Sequence, residues 1–71
     1  MGDALRNTLK VERAKRDLTQ ADLAALAGVT RRSVNAIEAG KMVPSVLLAM
    51  KIARALDVTV ETLFRLEDIA P

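Results

Sequence analysis

Between Leu18 and Gly40 the chain reads LTQADLAALAGVTRRSVNAIEAG, and this stretch leaves little freedom in how it can fold. The Thr19 hydroxyl can cap a helix, Asp22 stands where a capping-box acid belongs, and Gly28 supplies the left-handed residue that ends the helix. Val29 fills a short turn. Thr30 then caps a second helix that opens with Arg31 and Arg32 and stops at Gly40. A short helix, a glycine turn and a second helix with a basic start have the form of a helix-turn-helix, whose second helix enters the DNA major groove.

The rest of the composition narrows what can surround this motif. The 71 residues are enough for one small domain. The chain has no cysteine and no histidine, so neither disulfides nor a thiolate or imidazole metal site can hold it together. A packed core must do so, and a domain this small buries only roughly 60% of the surface exposed on unfolding, which favours oligomers. The apolar run Val46–Met50 is far short of a membrane span. The start, MGDALRN, has no apolar stretch after its charge, so no secretory leader is expected and a cytoplasmic location follows. Residues 1–41 carry eight Lys/Arg against five Asp/Glu, and residues 42–71 carry three against four. The basic half contains the motif, as attraction to phosphate would require, although an uneven solvated surface has the same arithmetic.

Periodicity and caps predict an all-α chain of five helices. The first runs from about Ala4 to Arg16, with Leu5, Leu9 and Val11 inward. The second covers Gln20–Ala27 over Leu23, Ala24 and Ala27, and the third covers Arg31–Ala39 over Val34 and Ile37. Ser45 caps a fourth helix to Leu56. Thr59 caps a fifth, with Leu63 and Phe64 turned to the core, and Glu67–Pro71 are expected to fray.

The chain resembles the Cro/C1-type helix-turn-helix family, also called the Xre family, and its short stand-alone members in particular. The resemblance rests on Arg13, Leu18-Thr19-Gln20, Leu23-Ala24, Gly28-Val29, Ser33 through Glu38, Gly40-Lys41, Pro44-Ser45, Lys51-Ile52-Ala53 and Leu63-Phe64. It implies one five-helix lambda-repressor-like DNA-binding domain over residues 1–71, with a core of about 7–65 and a short C-terminal tail, 66–71. Double-stranded DNA is the implied partner. Base reading would fall to Arg31, Arg32, Asn35 and Ala36, with Ala39 on the same face. Arginine can grip guanine with two hydrogen bonds, and an alanine methyl can pack on the thymine methyl. Phosphates would be met by Gln20, Thr30, Ser33 and Lys41, Gln20 through both its side chain and its helix-terminal N–H. Arg13 and Glu38 would form a buried salt bridge tying the first helix to the third.

Two positions depart from the family pattern. Many members have Gln or Ser where this chain has Arg31 and Arg32, and we read this pair as one base reader and one phosphate clamp. Two arginines at a helix N-terminus oppose the macrodipole and call for an external anion. Asp57 stands where a glycine usually ends the fourth helix, a left-handed turn that aspartate adopts at some cost.

The fourth helix has more apolar residues than one core can take. With Val46, Ala49, Ile52, Ala53 and Leu56 inward, Leu47, Leu48 and Met50 are left over, as are Leu66 and Ile69 in the tail. Such a patch marks a partner surface, here a homodimer, the alternative being a tail folded back over the helix. Catalysis is not expected: there is no His, Cys or Tyr, no phosphate-binding glycine loop and no inward pair of carboxylates, and no cofactor or metal is implied. The function expected is a homodimeric repressor reading an inverted repeat. The alternative is an antitoxin-type module that binds its operator and also a partner protein through the apolar face. Structured RNA is less suited, because Phe64 is the single aromatic residue and reads as core.

Overall fold

The computed structural model describes residues 3–68. Five helices are flanked by two short strands, in the order β1 (Asp3–Asn7), α1 (Leu9–Lys15), α2 (Gln20–Ala27), α3 (Arg31–Glu38), α4 (Val46–Leu56), α5 (Val60–Leu63) and β2 (Phe64–Asp68). The strands pair antiparallel, Asn7 opposite Phe64 and Leu5 opposite Leu66. The fold is therefore mostly helical rather than all-α.

Helices α2 to α5 begin where hydroxyl caps predict. Thr19, Thr30, Ser45 and Thr59 accept, at 3.0–3.1 Å, the backbone N–H of Asp22, Ser33, Leu48 and Thr62. Asp22 completes a capping box by accepting the Thr19 N–H at 2.9 Å, and the two contacts from Thr19 hold its carboxyl below the usual range. Helix α2 ends at Gly28 with φ 71°, and α4 ends at Asp57 with φ 56°, so aspartate does occupy the left-handed position.

The beginning of the chain corrects the sequence reading. Helix α1 starts five residues later than Ala4, because Asn7 and Thr8 interrupt it. The Asn7 side chain accepts the Leu9 N–H at 3.2 Å and donates to the Ile37 carbonyl at 3.0 Å. Thr8 donates its N–H to the Leu63 carbonyl at 2.9 Å and its hydroxyl to the Thr62 carbonyl at 3.1 Å. The residues before them run extended against β2. Leu5 consequently lies at the surface, Val11 faces solvent on α1, and Glu67, expected to fray, sits within β2. Leu66 is likewise a strand residue, whereas Ile69 lies outside the described residues.

The core is a single cluster in which Leu9, Leu23, Val34, Ile37, Ile52, Leu56 and Leu63 are fully buried. Each such side chain contributes roughly 1.5–3 kcal/mol relative to its exposed state. Glu12 is buried beside them, its carboxyl held below its usual range by Arg16 (2.9 Å), against the cost of burial, and by Lys15 (3.3 Å). On α4 the inward stripe is Ala49, Ile52, Ala53 and Leu56, with Leu48 half-buried against the core and Val46 77% exposed. This exchanges Val46 and Leu48 relative to the sequence reading. Helical side chains lean toward the N-terminus, so Val46, first in its helix, projects beyond the core's edge, while Leu48 stands one turn before Ile52.

Candidate nucleic-acid interface

Val34 and Ile37, three residues apart and buried, fix the rotation of α3 about its axis. Arg31, Arg32, Asn35 and Ala39 are thereby exposed together, with Ser33 and Ala36 half-buried at the margins. Gln20, the first residue of α2, joins this face. With Arg31, Arg32 and Asn35 it lines an open cleft of about 380 Å³. Neither arginine has an ion pair or a side-chain hydrogen bond among the described residues. Both guanidiniums are free to meet an anion or a base edge.

Behind this face stands a charged frame. Arg13 on α1 donates Nε to Glu38 Oε2 at 2.6 Å and Nη2 to Glu38 Oε1 at 2.9 Å, a two-pronged pair whose side chains are 13% and 8% exposed. A third donor, Nη1, reaches the Leu18 carbonyl at 2.8 Å and fixes the entry to α2. Burial pushes the Glu38 carboxyl up, but Arg13 and the Gln20 amide outweigh it and hold the group below its usual range; Arg13 is raised in turn by Glu38. The frame ties α1, α2 and α3 together at the C-terminal end of the exposed helix.

Gln20 completes the frame. Its Nε2 donates to Glu38 Oε1 at 3.1 Å and to Asn35 Oδ1 at 3.2 Å, so the side-chain donors that the sequence reading offered to a phosphate are engaged internally. The backbone N–H of Gln20, in the first turn of α2, has no partner within the helix. Thr30 and Ser33 divide in a similar way. The Thr30 hydroxyl donates to Ser33 Oγ at 2.9 Å and accepts the Ser33 N–H, whereas the Ser33 hydroxyl keeps its own hydrogen to give. Lys41 is exposed just past Gly40, with its backbone N–H on the Ala36 carbonyl at 2.9 Å. The link between Gln20 and Asn35 was missed from sequence, because the two stand fifteen positions apart on different helices.

A second, apolar surface lies elsewhere. Val46, Leu47 (65% exposed) and Met50 (57%) line the outer side of α4, and Leu66 (70%) stands beside Leu5 on the sheet. An apolar groove of about 200 Å³ between Leu5, Val46, Met50 and Phe64 joins the two. Of the residues read as a dimer contact, Leu47, Met50 and Leu66 are exposed, Leu48 is largely committed to the core, and Leu5 and Val46 are additions. A helix that ran through Asn7 and Thr8 would turn Leu5 inward; the strand places it at the surface.

Comparison with known proteins agrees with this architecture. A helix-turn-helix family model matches residues 9–63, from the start of α1 to the end of α5. The chain belongs to the Cro/C1-type helix-turn-helix family, whose members are DNA-binding transcriptional regulators and not enzymes. It is 48% identical over 64 residues to the uncharacterized HTH-type transcriptional regulator MJ0272 of Methanocaldococcus jannaschii, covering 90% of this chain and 97% of that one. It is 44% identical to the uncharacterized HTH-type transcriptional regulator YgzD of Bacillus subtilis, with the same coverage. Among solved structures it is similar to the restriction-modification controller protein C.AhdI from Aeromonas hydrophila, with a TM-score of 0.73 and 33% identity over 76% of this chain and 82% of that one. An HTH_3 family transcriptional regulator from Vibrio cholerae gives a TM-score of 0.71 and 31% identity over 76% of this chain and 30% of that one. No helix among the described residues is long and apolar enough to cross a membrane.

Proposed function

We propose that this protein is a sequence-specific repressor that binds an inverted-repeat operator as a homodimer, each copy laying α3 in the major groove. The observation that carries this reading is the pair of exposed, internally unpartnered arginines at the start of α3, on a face whose rotation is fixed by the core and by Glu38. In this reading one arginine grips a base edge, the other clamps a phosphate, and Asn35 and Ala36 contact neighbouring pairs. The Gln20 N–H, Ser33 and Lys41 hold the flanking backbone, with Thr30 orienting Ser33.

The apolar surface supports the dimer. One short helix is a small interface for a tight specific complex, whereas two related by a two-fold axis meet successive grooves. Leu47, Met50, Val46, Leu5 and Leu66 would meet their counterparts. Selection of bound fragments from a random DNA pool tests both parts together. The expected product is an inverted repeat with half-site centres roughly 34 Å apart, about one helical turn. Unrelated fragments would overturn the reading, and single half-sites bound by a species that sediments as a monomer would overturn the dimer.

A further inference from the structure

The two parts of the exposed apolar surface are joined to α3 in different ways. The outer side of α4 is joined through the core, because Ile52 and Leu56 on its inner side share one cluster with Val34 and Ile37 of α3. The sheet has no such tie. A cleft of about 410 Å³ lies between β1 and the end of α3, with Ala4, Leu5 and Arg6 on one wall and Ala39, Gly40 and Val43 on the other. Asn7 bridges it: Nδ2 donates to the Ile37 carbonyl, in the last turn of α3, at 3.0 Å. Its Oδ1 accepts the Leu9 N–H at 3.2 Å, an Asx turn that leads into α1, so both ends of the amide are engaged and its direction is fixed. Among the described residues this is the one hydrogen bond between the sheet and α3.

Two reading helices on one operator must be held at a set distance and angle. One base pair more between the half-sites moves the second by about 3.4 Å along the DNA and turns it by roughly 35°. A contact through α4 alone would leave rotation about that helix, and the sheet, with Leu5 and Leu66, adds a second support. The angle of that support to α3 depends on Asn7. We propose that Asn7 is a positioning residue for operator spacing: its amide fixes the sheet half of the dimer contact to α3, so that the dimer accepts one distance between half-sites. The inference rests on the proposed dimer and its docking on DNA.

The test is binding of the wild type, N7D and N7S, each melting as a folded protein, to the selected operator and to versions with one base pair added to or removed from its centre, with sedimentation of each protein alongside. Both variants can still accept the Leu9 N–H, but the N7D carboxylate has no hydrogen to give the Ile37 carbonyl and the N7S hydroxyl is too short to reach it. The wild type should bind the altered spacings at least about tenfold more weakly, on the order of one mismatched pair. N7D and N7S should stay dimeric and keep the base preferences within each half-site, yet discriminate spacing by only about threefold, the scale of one hydrogen bond. A loss of stability alone would weaken all three sites equally. Wild-type discrimination in N7S overturns the role of Asn7, with N7S deciding where N7D does not fold. Dissociation of the variants to monomers also overturns it, by making Asn7 part of the contact itself. Equal binding of all three spacings by the wild type overturns the dimer docking beneath the proposal.

Discussion

The α2–α3 pair takes its helix caps from side chains three positions away, whereas the β1–β2 sheet joins the two ends of the described chain. Their ion pairs differ as well. Arg13–Glu38, at the root of α3, is 13% and 8% exposed, while Arg6–Glu67, across the sheet at 2.9 Å, is 54% and 41% exposed. Charge is buried where a helix must be held at one angle and solvated where two strands need only stay together. A buried pair gains little net stability over apolar packing, but loss of one partner strands the other, and an exposed pair is screened in either state. The sheet braces the fold, and the internal charges orient the candidate reading face.

Substitutions should separate the two regions by the size of their effects. R13M should cost most, about 3 kcal/mol in thermal or urea unfolding at neutral pH, because it leaves the Glu38 carboxylate buried with only the Gln20 amide. This loss should depend on pH with a definite sign. Glu38 is lowered below its ordinary 4.5 in the native state, so its contribution is present above that pH and fades as pH falls through the folded value. In R13M, burial favours protonation instead, and the gap between variant and wild type should narrow from pH 7 toward acid. A gap that widened would mean that Glu38 is not held by Arg13.

T19A removes one half of the capping box on α2 and should cost about 1 kcal/mol, with little change in the rest of the fold. R6A, in the sheet pair, should cost under about 0.5 kcal/mol and less still in high salt. A loss from R6A as large as that from R13M would place the organising charge in the sheet and contradict this division.

The same contrast explains what the sequence makes legible. A hydroxyl three residues before its N–H partner, or a glycine after an apolar stripe, is a local sign, and the caps at Thr19, Thr30, Ser45 and Thr59 and the turn at Gly28 are local throughout. The strands are not. Ala4 and Leu5 fit a helical stripe with Leu9, and their partners Glu67 and Leu66 lie at the far end of the chain. The local sign against a longer α1 is Asn7-Thr8, a pair suited to a helix start. On α4, spacing locates the inward stripe but not how far the core extends, which decides between Val46 and Leu48. At the candidate interface, spacing gathers Arg31, Arg32 and Asn35 on one side. The hydrogen bonds from Gln20 to Asn35 and Glu38 depend on how α2 meets α3.

Recognition of DNA by the exposed cationic face of α3 is tested by titrating the selected site with wild type and the R31A/R32A variant over a range of salt concentrations. Both side chains are exposed, so the variant should melt like the wild type. Its affinity for the selected site should fall by at least about 1–3 kcal/mol through loss of the base reader. The slope of log affinity against log salt should flatten by about one unit through loss of the phosphate clamp. A folded variant that keeps both the affinity and the salt slope of the wild type would show that DNA is bound elsewhere than on this face of α3.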